Sequence, residues 1–506
     1  MPSTRTHRVV ETLRTSRGGG APVTRSRGVA VFGPASPAAR GYGQAVDVTP
    51  EHERKLEAPE GFELPDLGGD PLEPRMFTSV YYDVPGNALA RAGITLRRRT
   101  ERGRSVWQLK LPSEGFRLEL EQPGGPTEPP EEMRALLTTH LRHGPVAPIA
   151  ELRTRRRGEL VAHNGTTAEV TVDEVAVMDA LRVSDEFVEV EIELRSGDPR
   201  RLDDLAAELA AAGAEPGSET PKLFRVLGLE QPGPRLLDDP FEALRALLRV
   251  QLREIHAHDP GTRLGQDPES LHDMRVAVRR SRALLRAGRT LVASDTSGLA
   301  AELKELGAVL GAVRDLDVLL ERLTAETVGL GPPDERTARV LLRALRRERS
   351  RDRRRLLRFL DGGRYLELLD RFARELEELE PTGQKVSLET LARKELKKAR
   401  RLVRELPDEP ADEQLHALRK QGKRTRYAFE LAGQDAIVQR AKKLQDALGE
   451  HQDAVVAMER LRALAAAAPP EQALAAGRLV EREHARRAYA RAAWGKAWRR
   501  LDQAAR

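Results

Sequence analysis

The chain has 506 residues, of which 40% are hydrophobic, 32% charged and 4% aromatic, with a formal net charge of +6. Such a length calls for two or more domains, and with so few aromatic residues their cores must rest on Leu, Ala and Val. The absence of cysteine excludes disulfides, thiolate metal sites and cysteine nucleophiles; no apolar run reaches the ~18 residues of a membrane span, and a cytoplasmic location is expected.

Residues 1–45 are rich in Arg, Gly, Ser, Thr and Pro and read as a disordered extension. Val29-Ala-Val-Phe32 is too short for the apolar core of a signal peptide, and a start codon placed too early would leave the same signature. From 46 to 230 the pattern is that of strands. Glu51-His52-Glu53-Arg54-Lys55 alternates, so in a strand Glu51, Glu53 and Lys55 share a face. Two carboxylates and an ammonium in a row are costly unless something binds there. Hard divalent cations take carboxylate oxygens, and phosphate oxygens take ammonium groups.

Met76–Asp83 is the next expected strand, and Pro85-Gly-Asn-Ala reads as a turn or helix start. Ile94–Arg99 and Ser105–Leu111 can pair around Glu101-Arg-Gly-Arg104, which sets Arg97 and Arg99 on one face and Arg98 on the other. Phe116–Glu121 alternates again, placing Arg117, Glu119 and Glu121 together. Glu131–Leu141 reads as a short helix, Leu152–Arg157 and Thr167–Val175 as strands, and Leu202–Ala212 as an amphipathic helix. In the strand Leu181–Leu194, Glu189, Glu191 and Glu193 share one face while Val188, Val190, Ile192 and Leu194 share the other. Two arrangements accommodate that strand: an edge strand with its acids in water, or a closed barrel with a polar lumen and an exterior packed under helices. Many antiparallel strands with few helices give an α+β, barrel-like class.

Residues 231–240 read as a linker. From 241 to 506 Leu, Ala, Arg and Glu fall at helical spacing, with breaks near Asp259-Pro-Gly, Ser294-Asp-Thr-Ser-Gly, Gly331-Pro-Pro, Asp361-Gly-Gly, Pro381-Thr-Gly, Pro407-Asp-Glu-Pro, Gly433-Gln-Asp and Pro469-Pro. About eight helices fit between them, an all-α bundle. Leu271-His-Asp-Met-Arg–Arg282 resembles Leu415-His-Ala-Leu-Arg–Arg426, and Leu310-Gly-Ala-Val-Arg-Asp315 resembles Leu448-Gly-Glu-His-Gln-Asp453. Matched motifs in one order at nearly one offset imply a duplicated four-helix unit. His272, Arg275, Arg279, Arg282 and Arg286 form one helical stripe, with Arg280 beside it; His416, Arg419, Lys420, Lys423, Arg424 and Tyr427 form its counterpart.

These motifs carry two resemblances. Glu51-x-Glu53-x-Lys55, Leu96-Arg-Arg-Arg99, Trp107-Gln-Leu-Lys110, the acidic strand Glu189–Glu193 and Lys222 in Thr-Pro-Lys-Leu-Phe-Arg make the first half similar to a CYTH domain, the triphosphate tunnel metalloenzyme family. The second half resembles a CHAD domain, an α-helical module with paired histidines and basic residues. The first resemblance implies an eight-stranded antiparallel tunnel barrel that binds triphosphate with Mg²⁺ or Mn²⁺. It implies phosphate contacts at Lys55, Arg97, Arg99, Lys110, Arg155 and Lys222, metal ligation by Glu51, Glu53, Glu189, Glu191 and Glu193, and catalytic work for Glu51, Glu53 and Lys55. Pro221 stands where the family often has Ser before the last lysine. The second implies an inorganic polyphosphate groove at His272, Arg275, Arg279, Arg280, His416, Arg419, Lys420 and Lys423.

The expected activity is metal-dependent hydrolysis of inorganic triphosphate or a related short polyphosphate, with the helical half holding a longer chain or docking the enzyme to polyphosphate-rich granules. A non-catalytic polyphosphate sensor, and ATP cyclisation or thiamine triphosphate hydrolysis on the same barrel, stand as alternatives. Nucleic acid is the weakest partner, because the helical half lacks interleaved aromatics for base stacking; no membrane partner is expected.

Overall fold

The computed structural model describes residues 47–113, 116–142, 144–163, 165–216, 222–229, 239–384 and 387–506. The expected N-terminal extension and residues 231–238 of the expected linker lie outside them. The described residues fall into two compact units. One combines those between Ala35 and Pro232 with Arg253–Met274, and the other combines those between Gly233 and Leu252 with Arg275–Arg506.

In the first unit, strands β1 (Asp47–Glu51), β2 (Glu53–Ala58), β3 (Asp70–Pro71), β4 (Arg75–Asp83), β5 (Thr95–Glu101), β6 (Arg104–Pro112), β7 (Arg117–Pro123), β8 (Ala147–His163), β9 (Thr166–Asp179), β10 (Arg182–Ser196) and β11 (Glu215–Pro216) form one antiparallel sheet. The order β1-β7-β6-β5-β4-β8-β9-β10-β2 brings it back to its own start. β1 and β2 are one stretch of chain interrupted at His52: Glu51 pairs with Arg117 on one side, and Glu53 pairs with Glu193 on the other. The His52 carbonyl accepts from Leu194 N–H at 2.9 Å, which carries the ladder across the interruption. With β1 and β2 counted as one strand and the two-residue β3 and β11 set aside, eight strands enclose a lumen. The barrel alternative is the correct one for the acidic strand.

Much of its exterior is apolar and covered. Leu56, Val170, Val172, Val190 and Ile192 pack beneath Leu202, Leu205 and Leu209 of the helix α4 (Arg201–Ala211). Around the wall, Trp107, Leu109, Leu111, Leu118 and Leu120 pack with Met133, Leu136, Leu137 and Leu264. Between β4 and β5, helix α1 (Ala88–Arg91) is capped by Asp83, which is buried and accepts from the backbone N–H groups of Val84, Leu89 and Ala90. The expected helix over 131–141 is two short ones, α2 (Glu131–Leu136) and α3 (Thr138–Leu141). One end of the lumen is apolar: Tyr81, Leu152, Val175 and Val177 meet Leu223 and Phe224 of α5 (Lys222–Val226).

The helical part contains α6 (Pro240–Leu264), α7 (Pro268–Ala287), α8 (Ser297–Thr327), α9 (Pro332–Leu360), α10 (Gly363–Glu377), α11 (Leu388–Arg404), α12 (Asp412–Leu431), α13 (Asp435–Ala466) and α14 (Pro470–Ala504). Among the described residues that is nine helices rather than eight: two sets of four, α6–α9 and α11–α14, with α10 between them. The expected break at Asp259-Pro-Gly is not one. Helix α6 runs through it to Leu264, held by a fully buried ion pair one turn apart, Arg263 Nε to Asp259 Oδ1 at 2.7 Å. In the second set, Leu396, Leu418, Phe429, Leu444, Leu448, Trp498 and Leu501 share a core; Leu319, Leu323, Leu342 and Leu345 of the first share another with Leu461 and Leu479.

Leu205 is 1% exposed, the middle of the three leucines that roof β9, β10 and β2. Leu205→Ala is expected to destabilise the barrel by about 2–5 kcal/mol, as buried Leu truncations do, read as a shift of the chemical-denaturation midpoint.

Candidate functional site

Period-two geometry turns one face of every barrel strand inward. The cavity there, about 150 Å³, is lined by Lys55, Arg75, Arg97, Arg99, Lys110, Arg117, Arg156 and Arg195 against Glu51, Glu119, Glu121, Glu191 and Glu193. Eight cations against five carboxylates leave the lining with an excess of positive charge that suits a polyanion. Among the described residues Leu223 is the single apolar one in the lining, which also includes Tyr81, Thr95 and Gln108.

Within the lumen the charges answer one another. Lys110 Nζ donates to Glu51 Oε1 at 2.5 Å and lies 3.6 Å from Glu119. Lys55 Nζ donates to Glu191 at 3.0 Å and lies 3.6 Å from Glu53. Arg97 Nε donates to Gln108 Oε1 at 2.7 Å, and its terminal nitrogen donates to the Tyr81 hydroxyl at 3.3 Å; Gln108 is held in turn by Glu121. Arg99 pairs with Glu101 at 2.6 Å and stacks on Phe77, 3.8 Å from the ring centre. Burial disfavours the Lys55 ammonium, but Glu191, Glu53 and Glu189 outweigh it and hold its pKa well above the ordinary lysine value. Burial likewise opposes ionised Glu53, and Lys55 and Lys110 outweigh it, so that carboxyl is shifted down. Glu51 is shifted up, by burial and by Glu53 and Glu119 against the pull of Lys110. Glu193 rises to about 7 through burial, with Glu51 and Glu169 adding to the effect and Arg195 and Lys110 opposing it.

Several of the expected residues therefore share the lumen: Glu51, Glu53, Lys55, Arg97, Arg99, Lys110, Glu191 and Glu193. Glu189 is buried on the same strand face and acts on Lys55. Arg155 needs correction. Its side chain is 64% exposed and faces Glu174 on the outer surface, whereas Arg156, 12% exposed, takes the inward position. The reason is register: Arg156 is paired with Asp173 and Arg155 with Glu174 across β8 and β9. Arg156 makes two hydrogen bonds to Asp173, at 2.6 and 2.7 Å, and one to Glu191. The Lys222 side chain lies outside the described residues. Sequence reasoning missed Arg75, Gln108, Arg156, Asp173 and Arg195, and gave Arg117 and Glu119 a common face without a role.

The donor set suits a hard cation. Glu51 Oε2 is buried without a hydrogen-bond partner, and the charges of Glu53 and Glu119 act against ionised Glu51 as Glu51 does against Glu193, a repulsion that an added cation would relieve. Among the described residues no group of three or more His, Asp or Glu side chains is already drawn together to hold a metal ion; Glu191 is engaged by Lys55 and Arg156 instead.

In the helical unit the two stripes meet. Arg275 and Arg279 of α7 act on Arg419 and Lys423 of α12, and Arg279 Nε donates to the Tyr427 hydroxyl at 2.9 Å. The repeated glycines have a shared use: a side chain at Gly311 would meet the Arg275 guanidinium at 3.6 Å, and one at Gly449 the Arg419 Nε at 4.0 Å. Each arginine is answered by an aspartate one turn beyond its glycine, Arg275 by Asp315 at 2.9 Å and Arg419 by Asp453. Lys420 follows Arg419 on the same helix. Arg280 is tied to Glu430 at 2.7 Å. His416 donates or accepts through Nδ1 with Gln452 at 2.5 Å, and burial and Lys420 shift it towards the neutral form. His272 is half-buried on α7, one turn ahead of Arg275.

The family models match at the places these sites occupy: a CYTH domain over residues 49–225 and a CHAD domain over residues 246–462. Two uncharacterized proteins of Mycobacterium tuberculosis, Rv2226 and MT2285, are each 31% identical over 499 residues, covering 90% of this chain and 97% of their own. Among solved structures, PptA from Streptomyces chartreusis is 25% identical, covering 51% of this chain and 99% of its own, with a TM-score of 0.45. The CHAD domain from the plant Ricinus communis is 26% identical, covering 52% and 91%, with a TM-score of 0.42.

Glu193 makes stability depend on pH. The folded protein keeps its proton up to about pH 7, while the unfolded chain releases it near 4.5. The folded state therefore binds more protons across that window, and stability falls as pH rises through it. Denaturation midpoints at pH 5 and pH 7.5, without divalent cations, are expected to show this decline, and Glu193→Gln is expected to flatten it.

Proposed function

The chain belongs to the family in which a CYTH domain is followed by a CHAD domain, and from that premise we propose that it hydrolyses inorganic triphosphate or a short polyphosphate in the barrel, with a divalent metal, while its helical unit binds polyphosphate. The observation that carries this is the lumen lining: converging Lys and Arg side chains, interleaved carboxylates, one apolar residue and one aromatic one. That wall grips phosphate oxygens and offers little to a base or a thiazole ring, so inorganic chains are preferred over ATP and thiamine triphosphate.

Arg97, Arg99, Arg117 and Arg156 supply forked donors to phosphate oxygens, and Lys55 and Lys110 act as point charges. Gln108 and Tyr81 hold Arg97 in place, so that donor is oriented before substrate arrives. Glu51, Glu53 and Glu193 would hold Mg²⁺ or Mn²⁺, with Glu119 beside them and Glu189 and Glu191 behind. The chemistry that cation would supply there is positive charge to offset the charge developing on the phosphate oxygens. Lys110 and Lys55, which rest on Glu51 and Glu191 here, are the ammonium groups that would turn to the substrate's phosphate oxygens. No helix of the described residues is long and apolar enough to cross a membrane.

One feature favours a second reading, a barrel that binds without hydrolysing: among the described residues the carboxylates are not gathered into a metal-holding group. Turnover separates the two. Phosphate release from triphosphate with Mg²⁺ or Mn²⁺ is expected to exceed that from ATP and thiamine triphosphate. Arg97→Ala and Glu51→Gln should each lower kcat/KM by about 10²–10³-fold, the scale of losing one preorganised electrostatic contact. Absence of turnover with all three substrates, alongside tight binding, would leave the sensor.

A further inference from the structure

Lys423 is a side chain of the helical cluster whose charge the surrounding groups oppose on every side. It sits half-buried on α12, with Arg419 a turn before it and Arg426 almost a turn after. Arg275 and Arg279 reach it from α7. The acids of the neighbouring elements serve other cations. On α8, Asp315 is bound to Arg275 at 2.9 Å, and Arg314 adds its charge to the same group. On α13, Asp453 acts on Arg419, while Asp446 lies towards Lys442, Lys443 and Arg426. On α11, Glu395 is taken by Lys398 and Gln421. On α12 itself, Glu430 holds Arg280, His416 bonds Gln452, Lys420 adds a like charge, and the Tyr427 hydroxyl accepts from Arg279. Among the described residues Lys423 has no ion-pair or hydrogen-bond partner.

An ammonium so placed is costly, and a lysine can relieve the cost by giving up its proton, which an arginine cannot. An anion in the groove reverses the balance. We propose that Lys423 is the groove's proton-taking ligand: uncharged while the groove is empty, it becomes protonated against the phosphate chain it grips, so that polyphosphate capture by the helical unit draws a proton from solution. This rests on the polyphosphate reading of the groove and adds a regulation to it, namely tighter capture as pH falls. Burial, then Arg419, Arg279, Arg275 and Arg426, bring the Lys423 amine down to about 7, so roughly nine in ten are neutral at pH 8.

The test is isothermal titration of the full chain with inorganic polyphosphate at pH 8, in buffers of different ionisation enthalpy, which counts the protons exchanged. The expected result is uptake of about 0.9 proton per chain attributable to Lys423, with affinity falling by up to about tenfold per pH unit above pH 7. Lys423→Arg keeps a charge that does not titrate here; it should bind at least as tightly at pH 8 and lose that uptake. Lys423→Met should bind more weakly and also lose it. The difference between wild type and Lys423→Arg isolates the groove from any binding in the barrel. Equal proton uptake by wild type and Lys423→Arg overturns the inference while leaving the groove intact. Absence of polyphosphate binding by the wild-type chain overturns both.

Discussion

Strand β10 has to bury both of its faces, and the rest of the barrel follows from that constraint. Val188, Val190 and Ile192 need an apolar roof, which α4 supplies with Leu202, Leu205 and Leu209. Glu189, Glu191 and Glu193 need cations or water on the other side. An open sheet could leave them in water, but this sheet closes through the interrupted strand at His52, so the acids enter a small enclosed space. Taking charge out of water is affordable only with opposite charge at close range, and Lys55, Lys110, Arg156 and Arg195 provide it. Closure, the covering helices and the charged lumen are one arrangement seen from three sides.

The helical unit meets a related problem with the opposite outcome. In the lumen, carboxylates are interleaved among the more numerous cations, so pKa values there move in both directions. In the groove, Arg275, Arg279, Arg419 and Lys423 converge with few acids, and Arg275, Arg419 and Lys423 all shift towards release of their protons. Duplication doubles the charge: each repeat brings one arginine across a glycine to an aspartate, and the two helices that carry them face each other. Such a surface stores repulsion that a polyanion relieves, and its binding should weaken with salt as counterion release requires.

Most of the architecture was legible because each strand carries a phase. The alternations at Glu51–Lys55, Arg117–Glu121 and Glu189–Glu193 state which residues share a face, and the duplicated helical motifs state a repeat. Where phase is missing, legibility fails. Arg153-Thr154-Arg155-Arg156-Arg157 has cations on both faces, so nothing local distinguishes Arg155 from Arg156; only the pairing with Asp173 on β9 does. Gln108 and Asp173 carry no cationic signal and matter through what they hold. Pro260 reads as a terminator, yet the helix runs through it: the His256 carbonyl that Pro260 cannot bond lies 3.1 Å from His140 Nε2, and a buried ion pair spans the turn. The resemblance gathers Glu51, Glu53, Glu189 and Glu191, with Glu193 as a further candidate, into one metal set, but cross-strand partners divide it: Glu191 is engaged by Lys55 and Arg156, while Glu51 keeps one oxygen without a hydrogen bond.

The central claim is that phosphate and metal meet inside the barrel. Anomalous diffraction from crystals grown with Mn²⁺ and a non-hydrolysable triphosphate analogue tests it most directly. The account predicts a manganese peak within coordination distance of Glu51 and phosphate density along Arg97, Lys110 and Arg156. Manganese and phosphate found only outside the barrel, with Lys110 still on Glu51, would contradict it.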